Sequence, residues 1–226
     1  KDLMMLNVLN GVVDLRSGKL VDHDPNFMMT KLAPTEYNLE ASSEVWDNFI
    51  KDVTGGDEEL IKFIQKSVGY SLTGNTSENV LFFVYGPTAT GKSTFLEAVK
   101  SVLGDYAKTA DFESFLKRNG NSGPRDDVAI LEGARMVVSV EVDEGKRLAE
   151  GLIKQLTGGD TIACRPLYKS TIQFVPAMKL WMAANHKPKV SAEDGAMWRR
   201  IRMLPFDRTI PLDKREPALK ARLKDT

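Results

Sequence analysis

The sequence predicts an α/β fold in which a largely parallel sheet carries its chemistry at the ends of its strands. Three observations lead to this prediction. Apolar runs of strand length occupy residues 80–85, 136–140 and 180–184, helix-like stretches separate them, and each run ends in glycine or polar residues. Alternating strands and helices are typical of parallel sheets, and such sheets bind ligands at the carboxyl ends of their strands.

The front of the chain, residues 1–76, shows packing faces and no chemical motif. Residues 6–15 predict a hairpin, because Asn10-Gly11 favours the positive φ angles of a type I′ turn. Capping residues and glycines predict two later helices, one from Ser42 or Ser43 through Asp52, the other from Asp57 to near Gly74. A small α+β and helical segment therefore precedes the sheet.

A glycine-rich turn follows the first apolar strand and has the spacing of a phosphate-binding loop. Residues 86–93 read Gly, four residues, then Gly-Lys-Ser, and a helix-like stretch follows at 93–103. Such glycines turn backbone N–H groups toward phosphate oxygens, the lysine reaches the β- and γ-phosphates, and the serine hydroxyl binds Mg²⁺. The sequence therefore predicts a P-loop NTPase, with the nucleotide held by Gly86, Pro87, Thr88, Ala89, Thr90, Gly91, Lys92, Ser93 and Thr94.

Acidic residues follow the second apolar strand, residues 136–140. A phosphate loop needs a carboxylate from a neighbouring strand end to orient Mg²⁺ and the attacking water. Glu141 comes directly after the strand and is the first candidate; Asp143 and Glu144 stay open. A solvated acidic turn is the alternative, and the strand in front favours the catalytic interpretation.

The third strand ends in Asn185, and a Trp-Arg-Arg sequence follows at residues 198–200. Asn185 is placed to contact the γ-phosphate or the attacking water, although an asparagine that only begins a turn has the same pattern. Arg199 or Arg200 could stabilise the phosphate charge of a neighbouring subunit, as arginine fingers do. A solvated basic face is the alternative for this pair.

Composition excludes several classes of protein. The single cysteine, Cys164, permits neither an internal disulfide nor a cysteine metal cluster. No apolar run approaches the ~20 residues that span a bilayer, and the first residues lack a signal-peptide pattern. The chain begins without methionine and ends in a charged stretch, so we expect a piece of a longer, cytoplasmic protein.

The formal net charge is zero, with 31 basic and 31 acidic residues among 226, but the charge is unevenly distributed. Residues 1–60 hold five basic and twelve acidic residues, whereas residues 161–202 hold eight and two. The zero total therefore does not exclude nucleic-acid binding, because a DNA motor needs positive charge only where it meets the strand. We expect weak, salt-dependent DNA binding by a single copy.

Together, the phosphate loop, residues 137–141, 153–160, 181–185 and the Trp-Arg-Arg-Ile sequence resemble superfamily 3 helicases. The resemblance is closest to the phage and plasmid primase–helicase group, relatives of the poxvirus-type primase–helicases, and it covers nearly the whole chain. It implies an AAA+-like sheet with helices on both faces and a homo-hexameric ring that hydrolyses ATP between subunits and translocates on single-stranded DNA. It also implies a collar-like segment at 1–76, an ATPase core at 77–210 and the start of a C-terminal region at 211–226.

The resemblance assigns roles by position. Lys92 and Ser93 bind ATP and Mg²⁺, Glu141 is the Walker B acid and second metal ligand, and Asn185 is the sensor. Arg199 or Arg200 is the trans finger, with a slight preference for Arg200. A channel hairpin is implied between residues 160 and 176, with DNA contacts from Arg165, Tyr168 and Lys169.

One departure, and two alternatives, stand beside this resemblance. Many relatives have asparagine where this chain has Thr90, which can still form a hydrogen bond. A small-molecule kinase on a P-loop scaffold is one alternative, and a packaging or assembly ATPase is the other. The resemblance implies a phage, prophage or plasmid protein in a bacterial host, and no membrane partner is expected.

Overall fold

The computed structural model describes residues 2–117, 125–140, 147–191, 193–212 and 215–224. The strands are β1 Met5–Val8, β2 Gly11–Asp14, β3 Lys19–Val21, β4 Leu81–Tyr85, β5 Ala107–Thr109, β6 Met136–Val140, β7 Ile162–Cys164, β8 Ile172–Phe174, β9 Lys179–Ala184 and β10 Ile201–Pro205. The α-helices are α1 Glu44–Thr54, α2 Glu58–Leu72, α3 Lys92–Leu103, α4 Asp126–Ala129, α5 Glu150–Gly158, α6 Gly195–Trp198 and α7 Leu219–Arg222. Within these ranges, no helix is both long and apolar enough to cross a membrane.

The central sheet has five parallel strands in the order β10-β4-β9-β6-β5. Strand β9 therefore lies between β4 and β6, and Ala184 at its end pairs with Tyr85 at the end of β4. On the other side of β9, Val140 at the end of β6 pairs with Ala183. The carboxyl ends of these three strands meet at one edge, which confirms the predicted α/β class.

Helices cover both faces of this sheet, as predicted. Phe82 and Val84 point into one apolar cluster, which includes residues of α1, α2, α3 and the β1-β2-β3 sheet. Leu81 and Phe83 point into a second cluster, which includes residues of α4, α5 and the β7-β8 hairpin. Side chains alternate between the two faces because successive residues of a strand point in opposite directions.

The predicted front hairpin is present, but its turn is displaced by one residue. Val8 pairs with Gly11, so Leu9 and Asn10 form the loop and the predicted Asn10-Gly11 turn is wrong. Asn10 has a different structural role. Its side-chain amide N–H donates to the Tyr37 carbonyl oxygen at 3.0 Å, and its side-chain oxygen accepts from the Tyr37 N–H at 2.9 Å. Gly11 is needed because a Cβ there would lie 2.5 Å from the Val21 carbonyl oxygen.

The two front helices start and end close to the predicted residues. The Ser43 hydroxyl accepts from the Trp46 N–H at 3.1 Å, and α1 ends before Gly55, whose φ is 69°. The Asp57 carboxylate caps α2 by accepting from the Glu59 N–H at 3.0 Å. Side-chain caps of this kind satisfy N–H groups that have no partner inside the helix.

Two buried cations join the front segment to the sheet. Arg135, 5% exposed, donates to the carbonyl oxygens of Leu72 and Met5 at 2.5 and 2.6 Å. Lys179, 1% exposed, donates to the carbonyl oxygens of Thr73, Asn75 and Ala177, the last two at 3.1 and 3.4 Å. No carboxylate in the described ranges pairs with either cation.

The front segment also shares its apolar core with the sheet. One cluster combines Val8 and Ile50 from the front with Phe95 of α3 and Leu223 after α7. The predicted boundary at 76/77 therefore separates regions of sequence that pack as one body. The boundaries at 76/77 and 210/211 stay predictions.

Burial lowers the pKa of Lys179 from 10.5 to about 7. The unfolded chain therefore binds this proton more readily than the folded chain between about pH 7 and pH 10, and the free energy of unfolding rises with pH in that window. We expect Lys179→Met to remove this rise, which is at most about 1.4 kcal/mol per pH unit. Denaturant unfolding of both proteins across the window measures the difference.

The exposed Lys66 gives the matched control, Lys66→Met. This variant should keep the wild-type dependence on pH. A constant gap in stability between wild type and Lys179→Met, from about pH 7 to about pH 10, would mean that burial does not shift this lysine.

Candidate nucleotide-binding site

The phosphate loop joins the end of β4 to the start of α3. Gly86 and Gly91 have φ angles of 149° and 89°, and Ala89 has a φ of 59°. A Cβ at Gly86 would lie 2.0 Å from the carbonyl oxygen of Phe206, which follows the neighbouring strand β10. Glycine is therefore required at residue 86 both by backbone angle and by the close approach of a second strand.

Lys92 folds back over the loop from the first turn of α3. Its ammonium donates to the carbonyl oxygens of Gly86 and Pro87 at 2.5 and 2.6 Å, and lies 3.4 Å from the Thr90 hydroxyl. Burial lowers the pKa of Lys92. Within the described residues no carboxylate neutralises it, so this cation is suited to bind the phosphate oxygens of a nucleotide.

Thr90 stabilises the loop from inside. It is buried, and its hydroxyl donates to the Pro87 carbonyl oxygen at 3.0 Å. Threonine thus forms a hydrogen bond within the loop at the position where the resemblance implies asparagine. The presence of Thr90 at this position therefore keeps a hydrogen bond within the phosphate loop.

The N-terminus of α3 faces the same loop. Gly91 is its N-cap and has no side chain to accept from the first-turn N–H groups, and Ser93 is exposed beside it. These N–H groups and the positive end of the helix dipole favour an anion. The glycine angles, the buried ammonium and the uncapped helix therefore fit a nucleotide phosphate, and the Ser93 hydroxyl is available to Mg²⁺.

Helix α1 packs against the phosphate loop at Gly91, a contact that the sequence did not predict. A Cβ on Gly91 would lie 2.7 Å from Val53 Cγ1 and 3.1 Å from Phe49 Cε2. The front segment therefore forms part of the floor of the site. No pattern along the chain could have indicated this contact, because it joins residues about forty positions apart and involves ordinary apolar side chains.

The other sequence-predicted residues at this edge divide into two groups. Asn185 directly follows β9, is exposed, and lies beside Gly86 in the register of β9 with β4. Glu141, Asp143 and Glu144 lie outside the described residues, so the acidic partner stays a prediction. Strand β6, which leads to them, does end at the same edge.

The paired arginines lie at the opposite edge of the sheet. They precede Ile201, which pairs with Leu81 at the amino end of β4, about 17 Å from Gly86 at the rise of a parallel strand. Arg200 donates to the Thr157 hydroxyl at 3.2 Å and to the Ala196 carbonyl oxygen at 2.9 Å. The Arg199 side chain is exposed, and in the described part of the chain no hydrogen bond or ion pair engages it.

The hairpin predicted between residues 160 and 176 is present as the antiparallel pair β7-β8. Arg165, Tyr168 and Lys169 are exposed in its tip, and Tyr168 is 92% exposed with a φ of 58°. The Arg165 carbonyl oxygen accepts from the Arg125 N–H at 3.0 Å, and the Asp126 carboxylate accepts from the Leu167 N–H at 2.6 Å. The backbone of the tip is therefore held at Arg165 and Leu167 by the start of α4, while the side chains of Arg165, Tyr168 and Lys169 remain in solvent.

Comparison with known families accounts for both parts of the chain. Residues 1–55 match the family described as D5 N terminal like. Residues 84–200, more than half of the chain, match the family of unknown function DUF5906. The chain belongs to this second family. The range matched by the second family includes the phosphate loop, Asn185 and both arginines, and the range matched by the first includes the whole of α1.

Two viral relatives resemble the chain over most of its length. It is 31% identical over 202 residues to "Putative helicase L207/L206" of Acanthamoeba polyphaga mimivirus, covering 87% of this chain and 21% of that protein. It is 25% identical over 215 residues to "Primase D5" of fowlpox virus, covering 89% of this chain and 27% of that protein. These matches confirm the resemblance to the poxvirus-type primase–helicase group, and the chain spans a minor part of each relative's length.

A solved structure shares the fold. The apo NrS-1 C-terminal region aligns with a TM-score of 0.65 and 14% identity, over 83% of this chain and 44% of that chain. This likeness agrees with the α/β fold predicted from the sequence.

Thr90→Val should weaken the phosphate loop, because it removes the hydroxyl that donates to Pro87. We expect the free energy of unfolding to fall by about 1 kcal/mol and the affinity for ATP to fall with it. Denaturant unfolding and calorimetric titration with ATP measure the two effects. Thr90→Ser keeps the hydroxyl and is the matched control, so equal behaviour of the two variants would exclude a role for this hydrogen bond.

Proposed function

We propose that this chain is the ATP-hydrolysing motor of a replication helicase, that it works in a ring of identical subunits, and that it moves on single-stranded DNA. The observation that carries the proposal is the placement of the site residues. The phosphate loop and Asn185 lie at the carboxyl edge of the sheet, whereas the arginine pair lies at its amino edge. In this proposal the arginine of a second subunit completes the site, because the arginines of the same chain lie at the far edge of the sheet.

Hydrolysis in this proposal depends mainly on electrostatic positioning. Lys92 binds the β- and γ-phosphates, and the first-turn N–H groups of α3 bind the remaining oxygens. Ser93 and Glu141 would hold Mg²⁺, which would supply positive charge to neutralise the phosphates. Asn185 holds the attacking water or the γ-phosphate by a hydrogen bond, since phosphoryl transfer needs an oriented nucleophile and stabilised charge.

Arg199 is the proposed finger that reaches the nucleotide of the next subunit. Neither arginine can reach the phosphate loop of its own chain across about 17 Å of sheet. Arg200 is already bonded to Thr157 and Ala196. Arg199 is exposed, and this difference favours it over the slight preference for Arg200 that the resemblance gave.

The β7-β8 hairpin is the proposed DNA contact. Two cations, Arg165 and Lys169, are exposed at the tip and can bind phosphates, while the exposed ring of Tyr168 can stack on a base or sugar. The hairpin lies on the face of the sheet opposite α3. Binding of DNA and binding of ATP therefore involve separate surfaces.

The small-molecule kinase alternative is less well supported by this arrangement. A kinase of this size closes an arginine-rich lid over its own nucleotide, and the arginine pair here lies at the far edge of the sheet. A packaging or assembly ATPase would share the proposed ring, so it is distinguished by experiment. Unwinding of a forked DNA substrate is the activity that it would lack.

Lys92→Ala should reduce ATP hydrolysis by roughly two orders of magnitude or more, because the cation that stabilises the transferred phosphoryl group is lost. Single-stranded DNA should stimulate the wild-type chain. Lys169→Ala should retain the DNA-free rate and lose most of the stimulation. Steady-state hydrolysis with and without DNA measures all three.

The neighbouring tip residue supplies the control, Ser170→Ala, which should keep full stimulation. Hydrolysis that survives Lys92→Ala, or that is indifferent to single-stranded DNA, would contradict the proposed motor. Phosphate transfer to a nucleoside by a monomer would favour the kinase.

A mixture of two inactive variants tests the trans finger. Arg199→Ala keeps Lys92, and Lys92→Ala keeps Arg199, so mixed rings contain some sites with both residues. We expect the mixture to hydrolyse ATP several-fold faster than the sum of the separate variants. No gain on mixing, in rings whose size is verified by mass, would mean that Arg199 does not act on a neighbouring site.

A further inference from the structure

The segment after β10 runs along the outside of the phosphate loop. The Phe206 N–H donates to the Tyr85 carbonyl oxygen at 2.8 Å, and the Ile210 N–H donates to the Ala89 carbonyl oxygen at 2.9 Å. Leu223, farther along, is buried in the apolar cluster that contains Phe95 of α3. The C-terminal residues are therefore attached to the loop and to its helix at both ends.

A cavity of about 260 Å³ lies between this segment and the loop. Ala89, Gly91 and Thr94 form one wall, and the described residues 210, 215–217, 219 and 220 form the other. Most of its lining is apolar, with charged groups of the C-terminal segment among them. This mixture of apolar walls and a few polar groups is typical of small-molecule sites.

We propose that this cavity receives the nucleoside part of the triphosphate, so that the described C-terminal residues 210, 215–217, 219 and 220 determine how the base and ribose are held. The inference rests on the proposed function, since it assumes phosphates in the loop. Phosphates bound at Lys92 and at the N-terminus of α3 place the attached nucleoside within a few bonds of Thr94. The cavity shares Gly91 and Thr94 with that path.

Two neighbouring cavities fit a nucleoside less well. One of about 320 Å³, between α1 and the C-terminal segment, has no lining residue from the loop. Besides Glu216 and its ion-pair partner Arg222, it is lined by two further acidic residues, Glu44 and Asp52, whereas Glu216 is the acidic residue that it shares with the proposed cavity. Another of about 480 Å³ lies between α1 and α2, away from the loop. The first is less suited to a triphosphate because Glu44 and Asp52 add negative charge that the proposed cavity lacks, and the second offers no path from the phosphates.

The wall formed by the C-terminal segment has polar contacts of its own. The Arg215 guanidinium donates to the Ile210 carbonyl oxygen at 2.9 Å, and the Arg222 guanidinium donates to the Glu216 carboxylate at 2.5 Å. Both contacts are solvent-exposed, so they add modestly to the attachment that the Phe206 and Ile210 N–H groups and buried Leu223 provide. A preformed wall binds a rigid base at lower entropic cost than a mobile segment would.

Lys220→Trp tests the inference, because a bulky ring at this exposed position on the wall would occupy the cavity. The full 226-residue chain is titrated calorimetrically, with Mg²⁺, against ATP and against inorganic tripolyphosphate, which has no nucleoside. We expect the variant to bind ATP at least about tenfold more weakly and tripolyphosphate as the wild type does. Lys224→Trp, exposed and outside the cavity lining, is the matched control and should bind both as the wild type does.

The outcomes separate the two proposals. Unchanged ATP affinity in Lys220→Trp, with a wild-type melting temperature, would overturn the nucleoside site and leave the motor intact. Equal loss of ATP and tripolyphosphate would place the effect on the phosphate loop and would also overturn it. Failure of the wild-type chain to bind either ligand would overturn the proposed motor itself.

Discussion

The parallel pairing of β9 with β4 is the contact on which the rest of the molecule depends. It buries Trp181 against Phe82, with ring centroids 4.4 Å apart, and the Trp181 indole N–H donates to the Ser71 hydroxyl of α2 at 2.9 Å. The same pairing ends with Ala184 beside Tyr85, which brings Asn185 to the phosphate loop. The pairing of β9 with β4 thus positions α2, through Trp181, and also the candidate nucleotide-binding site, through Asn185.

Burial of Arg135 and Lys179 is the second constraint. A buried cation without a carboxylate is costly, and here backbone carbonyl oxygens provide the compensation. Most of those oxygens belong to the end of α2, to β1 and to the residues between α2 and β4, and the Ala177 carbonyl oxygen lies just before β9. Because most of these acceptors lie on the front segment, the two side chains add polar contacts that help to fix how this segment docks, in addition to the apolar contacts.

Local features were predictable from the sequence, and contacts between distant segments were not. Ser43 and Asp57 cap their helices as expected, and Gly86 and Gly91 adopt the angles that their spacing predicted. The turn predicted at Asn10-Gly11 was wrong because each residue has a different structural role. Asn10 hydrogen-bonds to the backbone of Tyr37, and Gly11 lies too close to the Val21 carbonyl oxygen to carry a side chain. The support of Gly91 by α1, and the engagement of Arg200 by Thr157, likewise depend on packing that no local pattern records.

The apolar cluster shared by the front segment and the sheet bears on how such proteins diversify. The two family matches, at residues 1–55 and 84–200, divide the chain as though it were assembled from two modules. The floor of the phosphate loop, however, is made of Phe49 and Val53, from the first of them. An exchange of either module between relatives would separate the loop from its floor, so the two are expected to be inherited as one unit and to change together.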